Sequence, residues 1–279
     1  MGYYEYVATC LFGLEKFLAD EIEFLGYKKL ETIDGRITFS GDENAIARFN
    51  VFSRFAERLY IKLGSFKATT FTELFDGTKE LPFECFIGLD DAFPVTGSSL
   101  RSKLASIPDC QSIIKKAAVE KLKESYRTDW FKETGTMYRI EFFINKDIAT
   151  IMIETSGTPL HKRGYRPVSN EAPLRETLAA AMVKIARLRN DVLLWDPFCG
   201  SGTIPIEASL MMTNRAPGLY RKFAAENFDF LDDRIWTDAR EEAKSLIDYN
   251  SDFEVFAFSL VSEIHLGSIS DAKTSKSEL

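Results

Sequence analysis

A chain of 279 residues is long enough for two domains, and 45% hydrophobic residues with 23 Phe exclude a disordered polypeptide. No apolar run approaches the ~20 residues of a membrane span, and Met1-Gly2-Tyr3-Tyr4-Glu5 lacks the basic and apolar regions of a secretory signal, so the expected location is cytoplasmic. The formal charge of −7 excludes a uniformly basic nucleic-acid binder but not a local basic patch, on which such binding depends.

Residues 3–9 read as a short strand. Leu11, Leu14, Leu18, Ile22 and Leu25 then recur at helical spacing until Gly26 stops them. Residues 30–33 and 36–39 flank Asp34-Gly35, a two-residue hairpin signal. Ala45, Ile46, Phe49, Phe52 and Phe55 mark a second helix, and residues 59–63 a further strand. The order β-α-β-β-α-β over residues 1–65 is that of a ferredoxin-like split unit, with no catalytic group in it.

Thr70-Phe71-Thr72-Glu73 is a capping box and starts a helix. Residues 93–96 read as a strand and Gly97-Ser98-Ser99 as a loop. Residues 109–126 form an amphipathic helix with Ile113, Ile114, Ala117, Ala118 and Leu122 inward. Tyr138, Ile140, Phe142 and Ile144 alternate, and residues 148–153 return after Asn145-Lys146-Asp147 as a terminal hairpin. Residues 66–155 therefore make a second α+β unit, and residues 1–155 are expected to be stable alone. Residues 101–132 carry eight basic side chains against four acidic ones. Arg101, Lys103, Lys115 and Lys116 are candidates for phosphate contacts, which set register on RNA without reading sequence. The competing reading is a solvated helix face.

A linker covers residues 156–173. Lys162, Arg163 and Arg166 in it are further candidates for RNA contact, and Arg175 follows. Tyr165 either stacks on an unpaired base or packs on the domain that follows, and His161 reads as structural. Residues 174–188 form a helix whose Leu174, Leu178, Ala181, Met182, Ile185 and Ala186 are expected to face the core. Cysteines at 10, 85, 110 and 199, with two histidines, show no metal spacing and read as free thiols.

An apolar strand-like run over residues 192–195 ends at Asp196. The turn Cys199-Gly200-Ser201-Gly202 follows, and a helix opens with Ile204, Ile206, Ala208 and Leu210. Strand, glycine turn and helix form the first unit of a nucleotide-binding α/β sheet, whose ligands sit at the carboxyl ends of strands. The turn lacks the Lys-Ser/Thr pair of a P-loop, and Pro205 stands where a dinucleotide fingerprint has its third glycine. An acid before the turn and the hydroxyl of Thr203 suit a ligand with a cationic amino-acid end and a nucleoside, such as S-adenosylmethionine (SAM). A glycine-rich turn without a ligand remains the other reading.

Asp196-Pro-Phe-Cys-Gly-Ser-Gly-Thr203 resembles the SAM-binding loop of RNA methylases that join a THUMP domain to a Rossmann-like methyltransferase. Leu160-His-Lys-Arg-Gly-Tyr-Arg166, Ala172-Pro-Leu-Arg-Glu-Thr-Leu-Ala179, Ala8-Thr-Cys-Leu-Phe-Gly-Leu-Glu15 and Pro108-Asp-Cys-Gln-Ser112 resemble further segments of that family, and the likeness covers about residues 3–256. The fold it implies is an α+β N-terminal half, ferredoxin-like at 1–65 and THUMP at 66–155. An incomplete α/β Rossmann-like methyltransferase domain then begins at 174–258, followed by a divergent tail at 259–279. The implied activity is SAM-dependent methylation of guanine N2 in 23S rRNA. The implied cofactor contacts are Asp196, Phe198, Gly200, Ser201, Gly202 and Thr203, with Pro173, Leu174 and Thr177 beside the methionine end; no catalytic residue is assigned.

The chain departs from the family in two places. The carboxylate expected just past the strand at 253–258 is replaced by Ser259, Leu260, Val261 and Ser262, and no Asn-Pro-Pro-Tyr-type loop occurs in the 279 residues. A second reading therefore stands beside the enzyme: an RNA-binding THUMP protein with an inactive, truncated methyltransferase domain.

Overall fold

The computed structural model describes residues 3–165, 174–189 and 191–258, together with the backbone of a two-residue strand, Glu263–Ile264. The first unit follows the expected order: β1 (Tyr4–Cys10), α1 (Glu15–Phe24), β2 (Lys28–Ile33), β3 (Arg36–Gly41), α2 (Asn44–Phe52) and β4 (Ala56–Lys67). Alternation along β1 and β3 turns Tyr6, Ala8, Cys10, Ile37 and Phe39 onto one face of the sheet. There they meet Leu18 and Ile22 of α1 and Ile46 and Phe49 of α2. Phe39 and Phe49 stack with ring centroids 5.3 Å apart.

The second unit adds α3 (Phe71–Lys79), β5 (Val95–Leu100), α4 (Ile107–Tyr126), β6 (Ile140–Asn145) and β7 (Ile148–Glu154). The capping box forms: Thr70 Oγ1 accepts from Glu73 N, and Glu73 Oε2 accepts from Thr70 N. The two units share one seven-stranded sheet of order β2-β3-β1-β4-β7-β6-β5. The twelve residues of β4 make this possible, because Ala56 to Ile61 pair with β1 while Tyr60 to Lys67 pair with β7.

One expectation fails here. Gly97-Ser98-Ser99 is not a loop but the middle of β5, paired in parallel with Phe142, Phe143 and Ile144 of β6. Low β-propensity hid it, and the glycine has a packing reason: a Cβ at Gly97 would lie 2.2 Å from the Phe142 carbonyl oxygen.

The C-terminal part contains α5 (Glu176–Ala186), β8 (Leu194–Asp196), α6 (Thr203–Met212), α7 (Arg234–Ser245), β9 (Val255–Phe258) and β10 (Glu263–Ile264). Its three-stranded sheet has the order β10-β9-β8, and β8 and β9 run parallel, as an α/β unit requires. Val183, Ala208, Phe253 and Val255 form its small core.

The core stripe expected on α5 is only partly right. Leu178, Met182 and Ile185 are exposed, Ile185 by 64%, and Ala186 is exposed as well; Ala181 is buried with Thr177, Ala179, Ala180 and Val183. Val183 packs with Ala208 of α6, while Ala180 and Ala181 join the core of the seven-stranded sheet, so the face of small side chains is buried and the bulkier one is not.

A second finding concerns residues 216–247. Phe223, Phe228, Leu231, Ile235 and Trp236 belong to the same core as the seven-stranded sheet. Tyr138 and Phe228 stack at 4.3 Å, and Arg48 of α2 forms a two-pronged ion pair with Glu242 of α7. Among the described residues, no helix is long and apolar enough to cross a membrane.

Candidate cofactor loop and nucleic-acid interface

The glycine turn leaves the carboxyl end of β8 and enters α6 within six residues. Gly200 and Gly202 have φ of 55° and 74°, the left-handed region that a Cβ disfavours. A Cβ at Gly200 would meet nothing within 4 Å, so backbone conformation rather than crowding calls for glycine there. Gly202 N donates to Cys199 O, and Cys199 N reaches across to Phe258 O at the end of β9. The turn is thus stitched to both parallel strands.

Asp196 lies half-buried at the strand end, and its Oδ1 accepts from Phe198 N at 3.1 Å. Phe198 and Gly200 are exposed, Ser201 is half-buried, and Gly202 and Thr203 are buried. Burial pushes the Cys199 thiol up from its ordinary pKa, and Asp196 adds to the effect, the opposite of an activated thiol. Leu174 is half-buried. Thr177, placed by the resemblance beside the methionine end, is buried and donates its hydroxyl to Glu57 Oε1 at 2.7 Å. Pro173 lies outside the described residues, as do Ser259 to Ser262 and His265.

The basic candidates separate into distinct groups. Lys115 donates to Glu133 Oε1 at 2.7 Å and to Phe93 O, and packs over the Phe93 ring. It is half-buried and already paired, which argues against a phosphate contact. Lys116 is exposed on α4 beside Phe75. Arg101 and Lys103 are exposed in a loop that the β6–β7 turn fastens. Lys103 N donates to Asp147 Oδ1, Asp147 N to Ser102 Oγ, and Lys146 N to Leu100 O.

Ala68 N also donates to Asp147 O, bringing the end of β4 to the same turn. Lys67 and Lys146 therefore join Arg101 and Lys103 at one end of the sheet, all four exposed, and among the described residues none pairs with a carboxylate. Sequence reading missed Lys67 and Lys146, because only strand pairing brings positions so far apart in the chain together.

In the linker, Lys162 is exposed, and Arg166 lies outside the described residues. Arg163 is a correction. Its side chain is 2% exposed, and its guanidinium donates to Leu160 O, Ser53 O and Arg54 O and pairs with Glu207 Oε1 at 3.3 Å. No RNA phosphate can reach it. Tyr165 follows the packing reading, its hydroxyl 3.1 Å from Glu207 Oε1. His161 is structural, its Nδ1 2.7 Å from Glu57 Oε2. No cluster of three or more metal-ligating side chains occurs among the described residues.

Comparison with known proteins gives this geometry a family. Residues 5–60 match the RlmL ferredoxin-like domain, 68–154 the THUMP domain, and 163–275 the RMKL-like methyltransferase domain. The "Putative RNA methyltransferase YpsC" of Bacillus subtilis (strain 168) is 44% identical over 259 residues, which are 92% of this chain and 67% of that protein. The chain belongs to the THUMP-containing RNA methyltransferase family.

Two solved structures of similar proteins agree with the architecture. A "predicted N6-adenine-specific DNA methylase" from Listeria monocytogenes str. 4b F2365 matches with a TM-score of 0.90 at 45% identity, over 93% of this chain and 68% of that one. SMU.472, described as a "putative methyltransferase complexed with SAH", matches with a TM-score of 0.87 at 37% identity, over 94% of this chain and 70% of that one. The glycine turn at the end of β8 falls within the methyltransferase match, and α3 through β7 fall within the THUMP match. The methyltransferase match reaches residue 275 and so takes in most of the stretch after β9.

Proposed function

We propose that this chain serves SAM-dependent methylation of guanine N2 in 23S rRNA, in the cytoplasm. The observation that carries the cofactor half is the turn at residues 196–203: two left-handed glycines at the carboxyl end of a parallel strand, with a carboxylate at its entry. Such a turn fits a flat, amine-bearing ligand brought close to the backbone. Asp196 would face the cationic amino group, and the backbone at Gly200, Ser201 and Gly202, with Thr203, would hold the methionine end. Bound SAM supplies an electrophilic methyl group, and the work left to the protein is orientation and control of charge at the acceptor.

RNA is preferred over DNA because a THUMP domain fills the middle of the chain. The YpsC name agrees, whereas the name of the Listeria relative points to DNA adenine. The exposed basic end formed by Lys67, Arg101, Lys103 and Lys146 offers the phosphate contacts that would orient such an RNA.

Titrating SAH calorimetrically into the 279-residue chain tests the cofactor, and tritiated methyl transfer to 23S rRNA, followed by nucleoside analysis, tests the acceptor. Label in N2-methylguanosine supports the reading, while label in adenine or in DNA overturns the substrate. RNA binding with neither SAH heat nor label selects the alternative, an RNA-binding THUMP protein with an inactive methyltransferase domain. The interface has its own test. Replacing Arg101, Lys103 and Lys116 by Ala should lower the slope of log K against log salt by roughly 0.7–0.9 for every phosphate no longer neutralised, and Lys115→Ala should leave it unchanged.

A further inference from the structure

We propose that the buried pair Arg163–Glu207 is the positioning contact of the cofactor turn, fixing α6, and through it residues 200–203, on the ferredoxin-like half. This rests on the cofactor reading above. Glu207 lies one turn inside the helix that begins at Thr203, and its carboxylate is fully buried. Oε1 accepts from Arg163 Nε and from the Tyr165 hydroxyl. Arg163 in turn is held by three carbonyls, two of them, Ser53 and Arg54, in the short connection between α2 and β4.

The same connection grips the other end of the helix. Arg54 Nη2 donates to Leu210 O and Arg215 O, carbonyls at and just past the last turn of α6, where regular helical partners run out. Glu21 of α1 anchors the connection itself, accepting from Ser53 Oγ at 2.6 Å and from Arg54 N at 2.7 Å. Two arginines and two glutamates therefore form one network around α6, all contributed from outside it except Glu207. Burial raises the Glu21 carboxyl and lowers the Arg54 guanidinium, so each charge depends on the others.

Stability alone does not call for this arrangement, since apolar side chains of similar volume hold helices together without desolvating four charges. A buried charge pair with a single Nε–Oε1 contact adds direction. A slip of α6 by one residue would swing Glu207 by about 100° away from Arg163. The pair admits one register, and that register sets where the turn leaves β8, because Ile206 N still bonds to Gly202 O at its start.

Hydrogen exchange on the full chain reads the proposal without any cofactor. In Glu207→Gln, amides of residues 198–206 should exchange at least tenfold faster, while those of β1 and β7 keep their wild-type rates. Wild-type exchange at the turn in a folded variant overturns the proposal. So does a uniform rise across the chain, which marks a purely structural pair. Should Glu207→Gln not fold, Tyr165→Phe carries the test, since it removes one hydrogen bond to Glu207 and no charge. A smaller rise confined to the turn is expected, and none overturns the idea. SAH titration into the wild-type chain fails or succeeds independently of these rates.

Discussion

Glu57, at the start of β4, gathers both ends of the linker. Its carboxylate binds His161 Nδ1 and Thr177 Oγ1 at 2.7 Å each, with Arg175 Nη1 at 3.5 Å. Burial alone would raise its pKa, but the hydrogen bonds from His161 and Thr177 outweigh that and hold it below the ordinary carboxylate range. A depressed folded pKa means that the stabilisation is fully present above the unfolded value of about 4.3 and is lost as pH falls through the folded one. Glu57→Gln should therefore unfold at lower urea than wild type at pH 7, with the gap closing toward pH 3. A gap that persists at pH 3 would assign the loss to packing rather than to charge.

At the scale of elements, α5 shows what a sequence pattern leaves open. Its apolar residues recur at helical spacing on two faces, and the spacing by itself favours the bulkier one. The structure buries the alanine face, with Ala180 and Ala181 in the core of the seven-stranded sheet, and exposes Leu178, Met182 and Ile185. Ile185→Lys should accordingly change stability by less than about 0.5 kcal/mol, whereas Ala180→Leu, which overpacks the main core, should cost about 1–3 kcal/mol. Denaturant midpoints at constant slope would decide, and a large loss in Ile185→Lys would return that residue to the core.

Elements with their own local signals were legible from sequence: the capping box at Thr70, the Asp34-Gly35 hairpin, and the glycine turn after Asp196. Gly97 was not, because its reason is a backbone in another strand. Arg163 misled for a similar cause. A basic residue in a linker reads as solvated, and only the fold reveals the buried carboxylate of Glu207 waiting for it.

The largest gap between reading and structure is at the scale of the molecule. Helix and strand signals suggest that residues 1–155 stand alone, yet residues 216–247 complete their core. Phe228 covers Tyr138, Phe230 meets Phe86 edge-on at 5.1 Å, and Asp229 N donates to the Tyr138 hydroxyl. Phe223, Leu231, Ile235 and Trp236 extend the same apolar layer, and the Arg48–Glu242 pair closes it at the far side. Fully burying one such side chain contributes about 1.5–3 kcal/mol, and a domain's whole margin is only about 5–15 kcal/mol. Removing five or more of them is comparable with that margin. A fragment of residues 1–155 should therefore melt well below the full chain and bind a hydrophobic dye, and a fragment of residues 1–250 should regain a cooperative transition. Calorimetry on the three lengths checks this. A 1–155 fragment melting within a few degrees of the full chain would mean that residues 216–247 rest on a core already complete without them.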